Sequence, residues 1–201
     1  MLKDYDQKLS IHTSNRSKPA KQPPLYYQYE ATPYPILHEL FSTYKLKTTD
    51  HFVDFGCGKG RVLYYVHNYF HTSVTGIEIN EQLYQKAKKN KMNYLKNVNS
   101  NHGAINIRYC RAEDYKVKKR DNIFYFFNPF TIQIFKKVIR NILFSIAKNP
   151  RNVDIILYYP ETTYTNYLKT ETSFQLIQKI KVPHLYEINP KEHFLIFRYN
   201  C

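Results

Sequence analysis

The sequence is short of cysteine. Cys57, Cys110 and Cys201 are odd in number, widely spaced and without a CxxC pair. Such spacing excludes a disulfide framework and a zinc ribbon, so reduced thiols are expected. Long apolar runs are also missing. The longest, over 123–135, is interrupted by Asn128, Pro129, Thr131 and Gln133 and falls short of the roughly 20 residues that span a bilayer. The opening stretch MLKDYDQKLS has no apolar core of signal-peptide type, and a cytoplasmic protein without membrane attachment is expected. The eight histidines are scattered along the chain, and no metal is expected. Acidic residues are few, 16 against 30 Lys and Arg, which leaves a net charge of +14. That excess favours a polyanionic partner such as RNA, through release of condensed counterions. A bias of composition toward Lys, Asn, Ile and Tyr produces the same charge with no function attached, and charge alone does not separate the two.

At 201 residues and 43% hydrophobic content, the chain suits one domain with a sizeable core. Residues 1–24 hold few apolar side chains and read as a mobile basic arm, followed by the folded domain over 25–201. Thr32 is placed to cap a helix with Pro33 in its first turn, running to about Tyr44. Its apolar residues Ile36, Leu37, Leu40, Phe41 and Tyr44 share one face. From His51 onward, strand-like runs at 52–55, 74–79, 105–110, 123–127 and 153–159 alternate with helical segments at 61–70, 81–95 and 132–147. This alternation implies crossover connections and a mainly parallel sheet. The interval after Ala112 is too short for a full helix. A helix at 162–168 and two further strands at 174–182 and 194–199 follow. Consecutive strands with no helix between them predict an antiparallel hairpin at one sheet edge. No internal repeat is present.

Glycine is scarce too, and its distribution is informative. Three of the five glycines, Gly56, Gly58 and Gly60, occupy alternate positions in Val53-Asp54-Phe55-Gly56-Cys57-Gly58-Lys59-Gly60-Arg61. The turn falls where a buried strand gives way to a helix, so glycine permits positive φ and close approach of a ligand to the backbone. Glu78 ends the next strand about twenty residues on, the spacing at which a carboxylate accepts hydrogen bonds from both ribose hydroxyls of a nucleoside. A plain tight turn and a surface glutamate is the bland alternative.

Strand, turn, helix, strand and acid in this order resemble the class I S-adenosylmethionine-dependent methyltransferases, whose first motif is an acidic residue, an apolar residue and Gly-x-Gly-x-Gly. Asp54, Gly56, Gly58 and Gly60 match it, whereas dinucleotide dehydrogenases space their last glycine one residue further. The resemblance implies S-adenosylmethionine as cofactor. It places Gly56, Cys57, Gly58, Gly60 and nearby backbone around the methionine portion, Asp54 toward the ammonium and Glu78 on the ribose. Arg111 stands where the family commonly has an acid beside adenine, so Glu113 or the Ala112 backbone is the expected substitute. The fold implied is a three-layer α/β sandwich with a seven-stranded, mostly parallel Rossmann-like sheet and one antiparallel strand. The region from about Tyr26 onward is also similar to a group of small bacterial methyltransferases with the same Gly-Cys-Gly-Lys-Gly-Arg turn and Phe-Asn-Pro-Phe segment. Here the stretch containing Tyr29, Glu30, Thr32 and Tyr34 serves either as a lid over the cofactor or as ordinary helix capping and packing.

Asn128, Pro129 and Phe130 follow an apolar strand on the ligand-binding side of such a sheet. The segment is similar to the Asp/Asn-Pro-Pro-Tyr/Phe motif of amino-group methyltransferases, with one proline fewer. An Asn there accepts a hydrogen bond from an amine and aligns its lone pair with the methyl group. The alternative is that Asn128 caps the helix beginning near Thr131. Tyr158, Tyr159 and Pro160 are placed to line the target pocket. The sequence thus points to methylation of a nitrogen, in RNA or a protein side chain. A non-catalytic nucleoside- or RNA-binding module on the same fold is the rival. Neither the acceptor nor the oligomeric state is legible.

Overall fold

The computed structural model describes residues 5–14, 24–98 and 103–201. A short helix α1 (Tyr5–Lys8) and α2 (Tyr34–Thr43) precede the alternating part of the chain. That part comprises β1 (His51–Phe55), α3 (Arg61–Phe70), β2 (Ser73–Glu78), α4 (Glu81–Leu95) and β3 (Ile105–Tyr109). A single 3-10 turn at Ala112–Asp114 leads to β4 (Ile123–Phe126), α5 (Ile132–Lys148), β5 (Val153–Tyr158), α6 (Thr162–Glu171), β6 (Gln175–Lys181) and β7 (His193–Tyr199). The elements read from the sequence are all present, with ends shifted mostly by one or two residues and α6 extended by a turn.

The seven strands form one sheet in the order β3-β2-β1-β4-β5-β7-β6. Pairings among the first five are parallel, and β7 runs antiparallel to both β5 and β6. Strand order reverses at β1, whose neighbours are β2 and β4, so a crevice opens beyond the carboxyl ends of these strands. Side chains alternate between two cores as the pleat requires. Phe52, Tyr125 and Ile156 face α2 and α3 with Leu37, Leu40, Leu63 and Val66. Val53, Phe124, Phe126, Ile155 and Leu157 face α5 and α6 with Ile134, Val138 and Leu168. The result is the expected three-layer α/β sandwich.

Two expectations are corrected. Thr32 does not cap α2: Pro33 holds the cap position without a side-chain bond, and buried Thr32 Oγ1 instead lies 2.9 Å from the Tyr125 hydroxyl. The mobile-arm reading does not hold for residues 5–14. Leu9 and Ile11 are buried in the first core, and Asp6 accepts hydrogen bonds from Thr13, Ser14 and Tyr34. Arg61, the first residue of α3, donates to Thr13 Oγ1 (2.7 Å) and Ser14 Oγ (3.2 Å). Composition missed this because two leucine-sized anchors and one satisfied polar network hold the segment, without an apolar stripe. The rest of the stretch expected to be mobile, apart from Pro24, lies outside the described residues.

Candidate functional site

The glycine turn leaves β1 and folds back on β2. Gly56 and Cys57 amides both donate to the Ile77 carbonyl, at 2.9 and 3.1 Å, and Gly60 N donates to Cys57 O at 2.8 Å. Gly56, Gly58 and Gly60 have φ of +82°, +55° and +87°, in the region that side-chain-bearing residues avoid. Space is the second constraint: a Cβ on Gly58 would stand 1.9 Å from the Tyr29 ring, and one on Gly56 2.6 Å from Pro129 Cβ. The turn therefore lies directly beneath Tyr29 and Pro129. Cys57 itself is buried, and packs against Gly76 of β2, where a Cβ would meet its sulfur at 2.6 Å.

Two carboxylates flank this turn. Glu78 accepts from the Gly58 amide at 2.8 Å and from the Asn80 amide at 2.7 Å, so it braces the turn from the end of β2. Burial raises its pKa against the pull of those amides. The carboxyl of Asp54, buried in β1, makes no hydrogen bond among the described residues. Burial and then the nearby Glu78 push its carboxyl up to about 8.

A cleft runs over the strand ends, lined by Ile77, Glu78, Ile79, Leu83, Cys110 and Ala112. Tyr26, Tyr27, Gln28, Tyr29, Glu30, Gly56, Phe127 and Pro129 complete the lining. Glu113 is half-buried beside Ala112 and accepts from the Tyr26 hydroxyl. The roof extends beyond the candidate lid to residues 25–27, which had no such role in the sequence pattern. Residues 25–27 pair with 129–131: Tyr27 N donates to Pro129 O at 3.0 Å, Thr131 N to Leu25 O at 2.9 Å, and Tyr26 bridges Phe130. The cluster Tyr26-Tyr27-x-Tyr29 just ahead of the first long helix was the available signal. Of the candidate lid, Tyr29 and Glu30 line the cleft, whereas Tyr34 is drawn inward to Asp6.

At the β4 end, Asn128 has φ +38° and Tyr159, at the end of β5, φ +50°. The Asn128 side-chain amide donates to the Tyr159 carbonyl. Asn128 is not a helix cap, since Thr131 holds that position before α5. With Nδ2 so engaged, Asn128 Oδ1 has no donor among the described residues. Phe130 is a correction: it is fully buried, edge-on to Tyr26 and Phe126, and presents no face to a substrate. With one proline fewer, the turn carries this aromatic into the core. Tyr158 and Pro160 are buried, the Tyr158 hydroxyl bonding Glu192 at 2.5 Å. Among the described residues no His, Cys, Asp and Glu cluster could hold a metal, and no helix is long and apolar enough to cross a membrane.

A parallel sheet reversing at a glycine turn, an acid ending the second strand and β7 inserted antiparallel beside β5 define the class I, Rossmann-like methyltransferases. Within that class, the family model described as histone methylation protein DOT1 matches residues 21–125, just over half of the chain, and the chain belongs to that family. The match ends three residues before Asn128. No curated protein matches the chain by sequence. Solved structures share the fold at low identity. An RNA methyltransferase from Salinibacter ruber, in complex with S-adenosyl-L-homocysteine, is 16% identical with a TM-score of 0.58, covering 85% of this chain and 92% of that one. An rRNA methylase from Streptococcus thermophilus is 14% identical with a TM-score of 0.56, covering 86% and 100%. A phosphoethanolamine N-methyltransferase from Haemonchus contortus, in complex with phosphoethanolamine and S-adenosylhomocysteine, is 12% identical with a TM-score of 0.60, covering 84% and 43%.

Proposed function

We propose that this protein is an S-adenosylmethionine-dependent methyltransferase acting on a nitrogen, in RNA or in a protein side chain, in the cytoplasm. The observation that carries the nitrogen assignment is the arrangement of Asn128: its NH₂ is committed to the Tyr159 carbonyl, which leaves its oxygen without a donor among the described residues, in the chain between Phe127 and Pro129, which line the cleft. An N–H of the acceptor donates to that oxygen, which holds the nitrogen lone pair in line and requires no strong base. Both Asn128 and Tyr159 hold left-handed backbone angles, a pattern that concentrates at functional sites.

The residues at the opposite end fit the cofactor. Glu78 retains free lone pairs beyond its two amide partners, which suit ribose hydroxyls. The Asp54 carboxylate has no protein donor, and an ammonium offers it one. Gly56, Cys57, Gly58 and Gly60 admit close approach of backbone, and Ala112 with Glu113 closes the base end. When bound, S-adenosylmethionine supplies an activated methyl group. The chain's own contribution is to position the acceptor and exclude water, the latter through the roof at Tyr26, Tyr27 and Tyr29.

Support for the two acceptor classes comes from different sources: the family description names histone methylation, while two of the similar structures are RNA methyltransferases and the charge is +14. The test is incubation with methyl-labelled S-adenosylmethionine and separated RNA and protein fractions of a cell extract. Label in one fraction names the acceptor. Cofactor binding without any transfer would replace the enzyme by a binding module.

A further inference from the structure

Tyr26 holds a polar junction at the base end of the cleft. The Ala112 amide donates to the Tyr26 hydroxyl at 3.0 Å, and that hydroxyl donates to Glu113 Oε2 at 2.5 Å. The ring is fixed edge-on against Phe130, with centroids 5.6 Å apart, and the backbone on either side is tied to residues 129 and 131. A phenol has one proton and two lone pairs. With the proton on Glu113 and one lone pair on Ala112, a second lone pair stays unassigned. Burial and the Glu113 carboxylate raise the pKa of this phenol, so the hydroxyl keeps its proton and donates to Glu113. Ile79, Leu83 and Cys110 are apolar side chains among the residues that line the cleft together with Ala112. Arg111, in the place where an acid was expected, is exposed and leaves the base end without a carboxylate from that position.

We propose that Tyr26, oriented by Glu113, is the residue that reads the purine edge of the cofactor, its hydroxyl accepting from the exocyclic amine of adenine. The inference rests on the S-adenosylmethionine reading above and deepens it. Adenine presents an amine donor at that edge, whereas hypoxanthine presents a carbonyl, which would set acceptor against acceptor. The pair therefore discriminates the base by hydrogen-bond polarity, with a residue more than eighty positions upstream of the Ala112 loop that it completes.

Calorimetric titration of the full chain with S-adenosylhomocysteine and with its inosine counterpart tests this without turnover. The wild type is expected to prefer the adenine compound by about tenfold or more, the effect of one hydrogen bond in a partly buried site. Tyr26→Phe keeps the ring contact with Phe130, so it should bind the adenine compound about tenfold more weakly and lose most of the preference. Glu113→Ala, which releases the phenolic proton, should erode the preference in the same direction. Unchanged or tighter binding of the adenine compound by Tyr26→Phe overturns the proposal, because the hydroxyl would then merely plug the Ala112 amide. If the wild type binds neither compound, the cofactor reading itself fails. Binding by the wild type with no base preference removes Tyr26 alone.

Discussion

At the end of the cleft built by β1 and β2, the left-handed backbone angles fall on Gly56, Gly58 and Gly60. At the end built by β4 and β5 they fall on Asn128 and Tyr159. Glycine takes such angles without a steric penalty, so the first end keeps its shape by default. Asn tolerates them and Tyr does so at a cost of order 1–3 kcal/mol, so the second end is held by its surroundings. Those surroundings are the Asn128–Tyr159 hydrogen bond, the Tyr159 hydroxyl accepting from Asn189 at 2.8 Å, and the pairing of 25–27 with 129–131. The glycine-set end, proposed for the cofactor, and the braced end, proposed for the acceptor, predict different responses to substitution.

The largest effect is expected from Gly58→Val. A branched side chain at φ +55°, with its Cβ 1.9 Å from the Tyr29 ring, should weaken S-adenosylhomocysteine binding by roughly 100-fold or more. Calorimetry on protein whose circular dichroism is unchanged checks this, and full binding in the folded variant would reduce the turn to a structural one. Next, Asn128→Ala should lower turnover by about two orders of magnitude while cofactor affinity stays constant, measured once the acceptor is in hand. Near wild-type turnover would break the contrast between the two ends. Glu78→Ala should weaken cofactor binding by about 1.5–3 kcal/mol. It should also lower the melting temperature, because the Gly58 and Asn80 amides lose their acceptor. An unchanged dissociation constant with a lowered melting point would leave Glu78 as a brace only.

The smallest effect concerns Asp54. Its carboxyl stands at about 8 against an ordinary 3.8, so the folded chain retains a proton that the unfolded chain releases between these values. The associated stability is fully present below pH 3.8 and is lost as pH rises toward about 8. An ammonium placed beside Asp54 favours the carboxylate, so binding of S-adenosylhomocysteine near pH 7 should release a fraction of a proton. Calorimetry in buffers of different ionisation enthalpy reads that fraction, and Asp54→Asn should abolish it. Identical heats in all buffers for the wild type would remove Asp54 from the ammonium's neighbourhood.

The glycine turn and the placement of Glu78 were largely legible in the sequence, since their constraints are local. Positive φ selects glycine, and an acid at the end of the next strand sits at a fixed distance along the chain. The sheet was legible for the same reason, because strand and helix periodicities are short-range. The turn at the β4 end was less legible. That Phe130 turns inward depends on a roof segment about one hundred residues earlier, and no local pattern reports such a pairing. The docking of residues 5–14 depends likewise on Arg61 meeting Thr13 across 48 positions. Nor could spacing reveal that Glu78 already serves two backbone amides, which makes it a brace as well as a candidate ligand.

The antiparallel course of β7 has a practical consequence for handling the molecule. Because it descends beside β5 from His193 to Tyr199, it carries residue 201 to the floor of the sheet, where the Cys201 amide donates to Asn152 at 3.0 Å. Cys201 is exposed, Cys110 is half-covered and Cys57 is buried. A thiol-reactive dye or a surface tether should therefore attach first at Cys201, at the opposite pole from the cleft, and leave its mouth open to whatever large acceptor is offered.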